Sequence, residues 1–163
     1  MHIRAGVLSD THLSRLDADF KAMAERCFAG CDVIIHAGDL TDAGILAAFA
    51  GKTVYAVSGN MCNAATRDAL PLSRVFQLGT FTIALAHGAH LGMAIEDRLW
   101  TLFPEADCII YGHTHQAICH REGGVLFLNP GSFRPGGSYA VLEAGDELNA
   151  TLHSVDPLRQ PLA

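Results

Sequence analysis

Positive charge is scarce in this chain. Its 163 residues include 11 Lys and Arg against 17 Asp and Glu, which gives a formal net charge of −6, and no run of Lys and Arg exceeds two residues. Proteins that hold nucleic-acid backbones need a basic face, because phosphate contacts supply much of the affinity. The composition therefore argues against binding of a nucleic-acid duplex, and an anionic ligand would need another source of positive charge.

Long apolar runs and paired cysteine motifs are also absent. The longest apolar run, residues 43–51, is no more than half as long as the about 18–20 residues that a membrane helix needs. Asp10 interrupts the segment in which the hydrophobic part of a secretory signal would continue, so we expect a cytoplasmic protein that does not cross a membrane. The five cysteines are odd in number and form no Cys-x-x-Cys pair, which argues against a disulfide framework and a thiolate zinc site.

Apolar residues, in contrast, are abundant. Hydrophobic residues make up 50% of the chain and charged residues 17%, which is typical of a folded globular protein and not of a disordered one. A chain of this length matches one domain with one core. We expect a single domain over residues 1–163, with the oligomeric state left open and a homo-oligomer compatible with the composition.

Apolar periodicity predicts α/β units in the first part of the chain. Short apolar runs predict strands over residues 4–9, 32–36 and 53–57, and helices over 16–29 and 42–49 lie between them. Two consecutive βαβ units imply parallel strands that are joined by right-handed crossovers.

Antiparallel pairing dominates the second part. The predicted hairpins pair 75–78 with 81–86, 116–120 with 125–128, and 138–143 with 147–154; a helix over 93–103 and a strand over 107–111 complete the pattern, before a tail at 157–163. The fold class that these elements predict is an α/β four-layer sandwich, in which two mixed β-sheets pack together and are flanked by helices. A single mixed sheet is the alternative.

Side chains that can bind a metal follow the predicted strands into loops. They are Asp10, His12, Asp39, Asn60, His87, His113 and His115. Ligands of open α/β sheets bind beyond the carboxyl ends of the strands, so these side chains can converge on one place. Imidazoles mixed with carboxylate oxygens suit Mn²⁺, Fe, Zn²⁺ or Ni²⁺, whereas sites for calcium or magnesium use few imidazoles.

The order of the motifs carries more information than any one of them. The chain contains Asp10-x-His12, then Gly-Asp at 38–39, Gly-Asn at 59–60, His-Gly at 87–88 and Gly-His-x-His at 112–115. This series resembles the metal-binding signature of the calcineurin-like metallophosphoesterase superfamily. The likeness extends from residue 4 to about residue 143 and includes Asn-Pro-Gly-Ser at 129–132, which resembles the closing segment of the small bacterial and archaeal phosphodiesterase branch. That branch also resembles the retromer scaffold subunit, and it has the four-layer sandwich fold.

The resemblance implies two divalent metal ions as cofactors, with manganese expected and iron, zinc or nickel compatible with the same ligands. It assigns Asp10, His12, Asp39 and His115 to one ion, and Asp39, Asn60, His87 and His113 to the other, so that Asp39 bridges both. Two divalent ions, two aspartates and a bridging hydroxide leave a local charge of about +1, which would attract an anion. The hydroxide, held at Asp39, is the expected nucleophile, so the mechanism requires no protein nucleophile.

Some positions depart from the superfamily pattern. Met61 stands where many members have a histidine that protonates the leaving group; methionine cannot donate a proton, so either the leaving groups are intrinsically good or another group is the acid. His90 either lies near that place or begins the next helix as an exposed residue. We expect His36 to pack behind the ligands. Arg134 is, with Asn60, a candidate contact for the substrate phosphate, or else an exposed arginine.

These features predict an enzyme: a binuclear, metal-dependent phosphodiesterase that hydrolyses small phosphodiesters, nucleotide-like ones included. The alternative is a non-catalytic scaffold that holds partner proteins on the same fold. Four imidazoles around one crevice favour catalysis, because a scaffold has no physical need for them. A phosphomonoesterase is a third hypothesis, which the absence of a histidine at position 61 disfavours, since alkoxide leaving groups profit most from protonation.

Overall fold

The computed structural model describes residues 1–157, so the predicted tail falls outside the described residues from position 158 onward. In chain order the strands are β1 (Ile3–Leu8), β2 (Val33–His36), β3 (Thr53–Ala56), β4 (Ser73–Leu78), β5 (Phe81–Ala86), β6 (Cys108–Ile110), β7 (Ile118–Glu122), β8 (Val125–Asn129), β9 (Ser138–Ala144) and β10 (Leu148–Ser154). The α-helices are α1 (Ala18–Phe28), α2 (Ala64–Ala69) and α3 (Ile95–Leu102), and a 3₁₀ helix spans Ala43–Phe49.

The strands form two five-stranded mixed sheets. The first has the order β10-β9-β1-β2-β3, with β1, β2 and β3 parallel and the β9–β10 hairpin joined to β1 through the antiparallel strand β9. The second has the order β4-β5-β6-β8-β7, with β5, β6 and β8 parallel and an antiparallel strand at each edge. The parallel core of each sheet is thus extended by hairpins, as the sequence pattern predicts.

Three apolar clusters lie between the layers and hold them together. Residues such as Val7 and Ile35 of the first sheet pack with Leu85 and Ile110 of the second in the central cluster. A second cluster lies between the first sheet and α1 with the 3₁₀ helix, and a third lies between the second sheet and α3. This arrangement confirms the predicted four-layer α/β sandwich and removes the single-sheet alternative.

The helices on the first sheet begin at side-chain caps. Asp17 Oδ1 accepts a hydrogen bond from the Phe20 backbone N–H at 2.7 Å, which starts α1, and the apolar stripe of α1 then faces the sheet. Asp42 caps the next helix, as predicted, by accepting from the Gly44 N–H at 2.7 Å, but this seven-residue element is a 3₁₀ helix. The 3₁₀ form is frequent in connectors, although runs of more than about four residues are uncommon.

The sequence pattern misses α2, which has six residues and little apolar periodicity. Its start is an Asn63 cap that accepts from the Thr66 N–H at 2.8 Å. No helix within residues 1–157 is long and apolar enough to cross a membrane.

Phe28 provides a test of the second cluster. Its side chain is fully buried, with ring centroids 5.2 Å from those of Phe133 and Tyr139 and 6.0 Å from that of Phe49. We expect Phe28→Ala to lower the free energy of unfolding by about 3–5 kcal/mol, because it leaves a cavity among these rings. Denaturant titration of the metal-free protein measures this value. The exposed Met93→Ala should change it by less than about 0.5 kcal/mol, and equal effects of the two substitutions would contradict the assignment.

Candidate metal centre

The seven predicted ligands lie at one end of the sandwich. Asp10 and His12 follow β1, Asp39 follows β2, Asn60 follows β3, His87 follows β5, and His113 and His115 follow β6. Both sheets contribute, and the carboxyl ends of their parallel strands face the same region. The topology therefore brings together residues more than 100 positions apart in the chain.

Asp10 is at the middle of the group. Its Oδ1 atom lies 3.2 Å from His115 Nε2 and 3.8 Å from both His12 Nε2 and His87 Nε2. The Nε2 atoms of His12 and His115 are 3.4 Å apart. Three imidazole nitrogens thus surround one carboxylate oxygen.

Asp39 is the second carboxylate of the group. Its Oδ2 atom lies 3.2 Å from His87 Nε2 and 4.0 Å from His12 Nε2, while its Oδ1 atom accepts the Met61 backbone N–H at 2.7 Å. Burial would raise the pKa of the Asp39 carboxyl, but the hydrogen bonds from His87 and from the Met61 N–H outweigh it, so the pKa is lowered. Asp39 therefore remains a carboxylate.

The orientation of His87 is set by a backbone carbonyl. Its Nδ1–H donates to Ala37 O at 2.7 Å, so Nε2 faces Asp39 and Asp10: it donates to Asp39 when the ring is protonated and carries a lone pair when the ring is neutral. Burial lowers the pKa of His87, and the hydrogen bond and charge of Asp39, with the charge of Asp10, raise it above its ordinary value overall. A proton would therefore compete with any cation bound at this nitrogen.

The remaining two residues complete the surroundings of His87. Asn60 Oδ1 lies 3.1 Å from His87 Nε2; after rotation of the amide, its nitrogen would instead donate to that atom and to Asp39. With its amide nitrogen turned inward, Asn60 bonds both His87 and Asp39; with its oxygen turned inward, it would offer a cation one more acceptor. His113 donates its backbone N–H to Asp10 Oδ2 at 3.1 Å, and its ring is nearly perpendicular to that of His87 with a centroid separation of 5.3 Å.

Two triads in the group have the spacing of a metal site. Asp10, His12 and His115 form one, and Asp10, Asp39 and His87 form the other, with all ligand atoms of each triad within 4.8 Å of one another. Asp10 belongs to both triads, and Asp39 Oδ2 contacts histidines of both. Two carboxylates thus lie between His87 and the pair of His12 and His115, whereas the family resemblance assigns the bridging position to Asp39.

An orphaned oxygen shows that these residues fit a cation. Among the described residues, Asp10 Oδ1 is a buried side-chain oxygen without a hydrogen-bond partner. Such an atom costs about 1–3 kcal/mol or more if nothing compensates its lost hydration. Imidazole nitrogens and carboxylate oxygens around it form the donor set that Mn²⁺, Fe²⁺, Zn²⁺ and Ni²⁺ prefer.

Unusual backbone geometry is concentrated at the same place. Positive φ values occur within residues 1–157 at six non-glycine positions, namely Asp10, His12, Asp39, Thr41, His113 and His115. Each left-handed residue of this kind costs about 1 kcal/mol, and strain of this kind clusters at functional sites. Five of the six are predicted ligands, which indicates that the fold holds them in place against local preference.

Glycines allow the loops to approach the carboxylates. A Cβ atom on Gly59 would overlap Asp39 Oδ1 and the Asp39 backbone nitrogen, and one on Gly112 would overlap Ser9 Oγ and lie 2.9 Å from Asp10 Oδ2. The glycines of the Gly-Asn and Gly-His motifs are therefore needed for close packing against the ligands.

Other polar residues hold the loops of the candidate ligands: Ser9, which belongs to none of the motifs, and Asn129 and Ser132 of the Asn-Pro-Gly-Ser segment, whose role the motif does not indicate. Ser9 Oγ donates to Asp10 Oδ2 at 2.6 Å, and Ser132 Oγ donates to the Asp10 carbonyl at 2.8 Å. Asn129 Nδ2 donates to Gly112 O at 3.1 Å and to Thr114 Oγ1 at 3.0 Å. The Asn-Pro-Gly-Ser segment thus ties the loops after β1 and β6 together.

His36 supports the loop that carries Asp39. Its Nδ1 accepts the Gly38 N–H at 3.1 Å, so its Nε2–H donates to Thr11 Oγ1 at 3.2 Å. Burial, with a smaller contribution from His87, lowers the pKa of His36 to about 3. The ring is neutral at physiological pH and uses both nitrogens in these bonds.

Three further positions that the sequence analysis singled out belong to neither triad. Met61 is 56% exposed. His90 is exposed in the segment between β5 and α3. Arg134 is exposed and lines a hollow with Asp17 and Asp19 at the start of α1. It is not among the residues that surround Asp10.

Gly59→Ala tests whether the close approach matters for metal binding. We expect at least about a tenfold loss of Mn²⁺ affinity in competition with a chromophoric chelator, because the new methyl group displaces Asp39. Gly145→Ala is the matched control, since its Cβ would meet only His2 Nδ1 at 3.9 Å. Unchanged affinity in Gly59→Ala would place the cation elsewhere.

His36 provides a pH test. The folded protein keeps His36 neutral down to about pH 3, whereas the unfolded chain protonates it below its ordinary pKa of 6.5, so its contribution to stability is lost as pH falls below 6.5. Between about pH 4.5 and 5.5, His36→Asn should reduce the slope of unfolding free energy against pH by about 1.4 kcal/mol per unit, measured by denaturation in the presence of chelator. The exposed His153→Asn should keep the slope of the unsubstituted protein; an unchanged slope in His36→Asn would refute the assignment.

Comparison with known proteins agrees with this geometry. The model of the calcineurin-like phosphoesterase superfamily domain matches residues 3–147. A probable metallophosphoesterase of Methanothermobacter thermautotrophicus is 35% identical over 130 residues, which cover 78% of this chain and 75% of the relative. A crystal structure from Streptococcus pneumoniae, described as a predicted phosphoesterase, has 26% identity and a TM-score of 0.71, with 99% of this chain and 94% of that chain covered.

The retromer subunit Vps29 has the same fold. The crystal structure of Vps29 from Entamoeba histolytica complexed with Zn²⁺ shares 23% identity and a TM-score of 0.72, with 94% of this chain and 100% of that chain covered. The family match, the relative and the two-sheet fold lead to one conclusion: this chain belongs to the calcineurin-like phosphoesterase superfamily.

Proposed function

We propose that this protein is a phosphodiesterase that uses two divalent metal ions, with manganese as the expected metal, to hydrolyse small phosphodiesters, nucleotide-like ones included. The observation that carries the proposal is the buried Asp10 Oδ1 atom, which faces three imidazole nitrogens and has no hydrogen-bond partner within the described residues. The proposed ligands are Asp10, His12, Asp39, Asn60, His87, His113 and His115.

The bound ions would supply Lewis acidity, which lowers the pKa of a water molecule and offsets the charge of the phosphate. The residues of the chain hold the donor atoms in place for them. Ala37 O keeps the His87 Nε2 lone pair directed inward, the Met61 N–H holds Asp39, and Ser9 holds Asp10 through its Oδ2 atom. Each of these contacts leaves one ligand atom free toward the centre.

Position 61 supports a diester as the substrate class. The Met61 side chain has no proton to donate, and the role of this residue in the site is the backbone hydrogen bond to Asp39. Hydrolysis without a protein acid at this position favours ester groups that leave readily. A phosphomonoesterase acting on alkyl phosphates would need the missing proton most.

A scaffold role is the second candidate, because the Vps29 fold is similar to that of this chain. Vps29 from Entamoeba histolytica also forms a complex with Zn²⁺, so metal content by itself does not separate an enzyme from a scaffold. Turnover does. The strained loops around Asp10 and Asp39 favour the enzyme, because a partner-binding surface has no need of strained ligand positions.

The proposal is tested with bis(4-nitrophenyl) phosphate and 4-nitrophenyl phosphate on the manganese-loaded protein. We expect the diester to be preferred, and Asp39→Asn and His115→Ala each to lower its kcat/KM by about a thousandfold or more. Thermal unfolding with chelator checks that both variants still fold. A preference for the monoester would favour a phosphomonoesterase, and absence of turnover with metal bound would favour the scaffold.

Met61→His is the matched control for that experiment. It changes a neighbouring exposed side chain and keeps the backbone bond to Asp39, so activity should be unchanged or should rise with poor leaving groups. A loss comparable to that of Asp39→Asn would contradict the role given to this position.

A further inference from the structure

An apolar cleft opens beside the candidate metal centre. Asn60 and His87 form part of its wall, so it is continuous with the group of ligand atoms. Its other walls come from the start of β4, the segment after β5 and the C-terminal end of α3. The large apolar side chains that line it are Leu72, Leu91, Leu99, Leu102 and Phe103.

The cleft has a base and an exposed apolar rim. Leu99 is 1% exposed at the base, whereas Leu72 and Leu102 at the rim are 71% and 60% exposed. Large leucine side chains that remain in water next to a site mark a surface that an apolar group can cover.

The charge of the lining restricts the occupant. Among the described residues that line the cleft there is no Lys, Arg, Asp or Glu, and its titratable side chains are His87 and His90. A second phosphate, an ammonium group or a carboxylate would lose its hydration there without an ionic partner. The cleft therefore suits a neutral group.

The volume indicates the size of that group. The cleft measures about 230 Å³. An enclosed apolar cavity of about 150 Å³ accommodates benzene, so this cleft has room for a substituted ring.

We propose that this cleft binds one neutral, ring-sized ester group of the phosphodiester while the phosphate lies at the Asn60 and His87 side. The inference rests on the proposed function and names the substrate class: diesters that carry at least one aromatic or similarly flat apolar group. Burial of that group against the leucines supplies binding energy that a phosphate with small alkyl esters lacks.

The test uses ligands that cannot be hydrolysed, so that binding is measured apart from turnover. Diphenylphosphinate and dimethylphosphinate carry the same charge, but the first has two phenyl rings where the second has two methyl groups. With the manganese-loaded protein, calorimetry should give an affinity for diphenylphosphinate about tenfold or more above that for dimethylphosphinate. Equal affinities, or no binding of either, would overturn the proposal.

Neutral polar substitutions at the rim identify the surface responsible. The double variant Leu72→Asn with Leu102→Asn should reduce the affinity ratio by about fivefold or more. Val75→Asn, at a 56% exposed position of β4 outside the cleft lining, is the control and should keep the ratio of the unsubstituted protein. A ring preference that survives the double variant would overturn the proposal.

Failure of the two proposals can be told apart. A ring preference that depends on Leu72 and Leu102, in a protein without diesterase activity, would refute the proposed function and support the cleft as a binding site. Diesterase activity without any ring preference would refute the cleft and support the function.

Discussion

This end of the molecule is arranged around one buried carboxylate oxygen, Asp10 Oδ1, which has no hydrogen-bond partner among residues 1–157. Asp10 Oδ1 is buried among imidazoles, an environment that is unfavourable for an anion unless protons or cations compensate its charge. The other oxygen of Asp10 accepts bonds from Ser9 Oγ and the His113 N–H, so the carboxylate cannot turn away to find another partner. The fold thus maintains a site of negative potential within a protein that is already acidic.

The surrounding structure holds that arrangement through many small contacts. Backbone strain at Asp10, Asp39 and the loop after β6 opposes it locally, and the packed sheets hold the strand ends from which these loops emerge. Hydrogen bonds from Ser132 and Asn129 join loops that are distant in sequence. The arrangement of the candidate ligands is therefore a property of the whole sandwich and not of any single motif.

Most strands, and the convergence of the candidate metal-binding side chains, could be predicted from the sequence because each depends on local patterns. The apolar runs of β1 and β2 are continuous, and the ligands follow strands, so topology alone predicts that they converge. Helix α2 could not be predicted from periodicity because its six residues have too little of it. The place of Asp10 in both triads and its bond from Ser132 depend on contacts between segments more than 100 residues apart. The bond from Asn129 depends on the relative position of two loops. No local pattern encodes these contacts.

The two sheets contribute unequally to this end of the sandwich: Asp10, His12, Asp39 and Asn60 come from loops of the first, and His87, His113 and His115 from loops of the second. A cation held by both sets would act as a cross-link between the layers, since the sheets could not slide past each other without breaking coordination. The sandwich would then be most rigid where these loops meet and least rigid at the hairpin turns of the opposite end. The atoms that bind the cation would thus also hold the two sheets together.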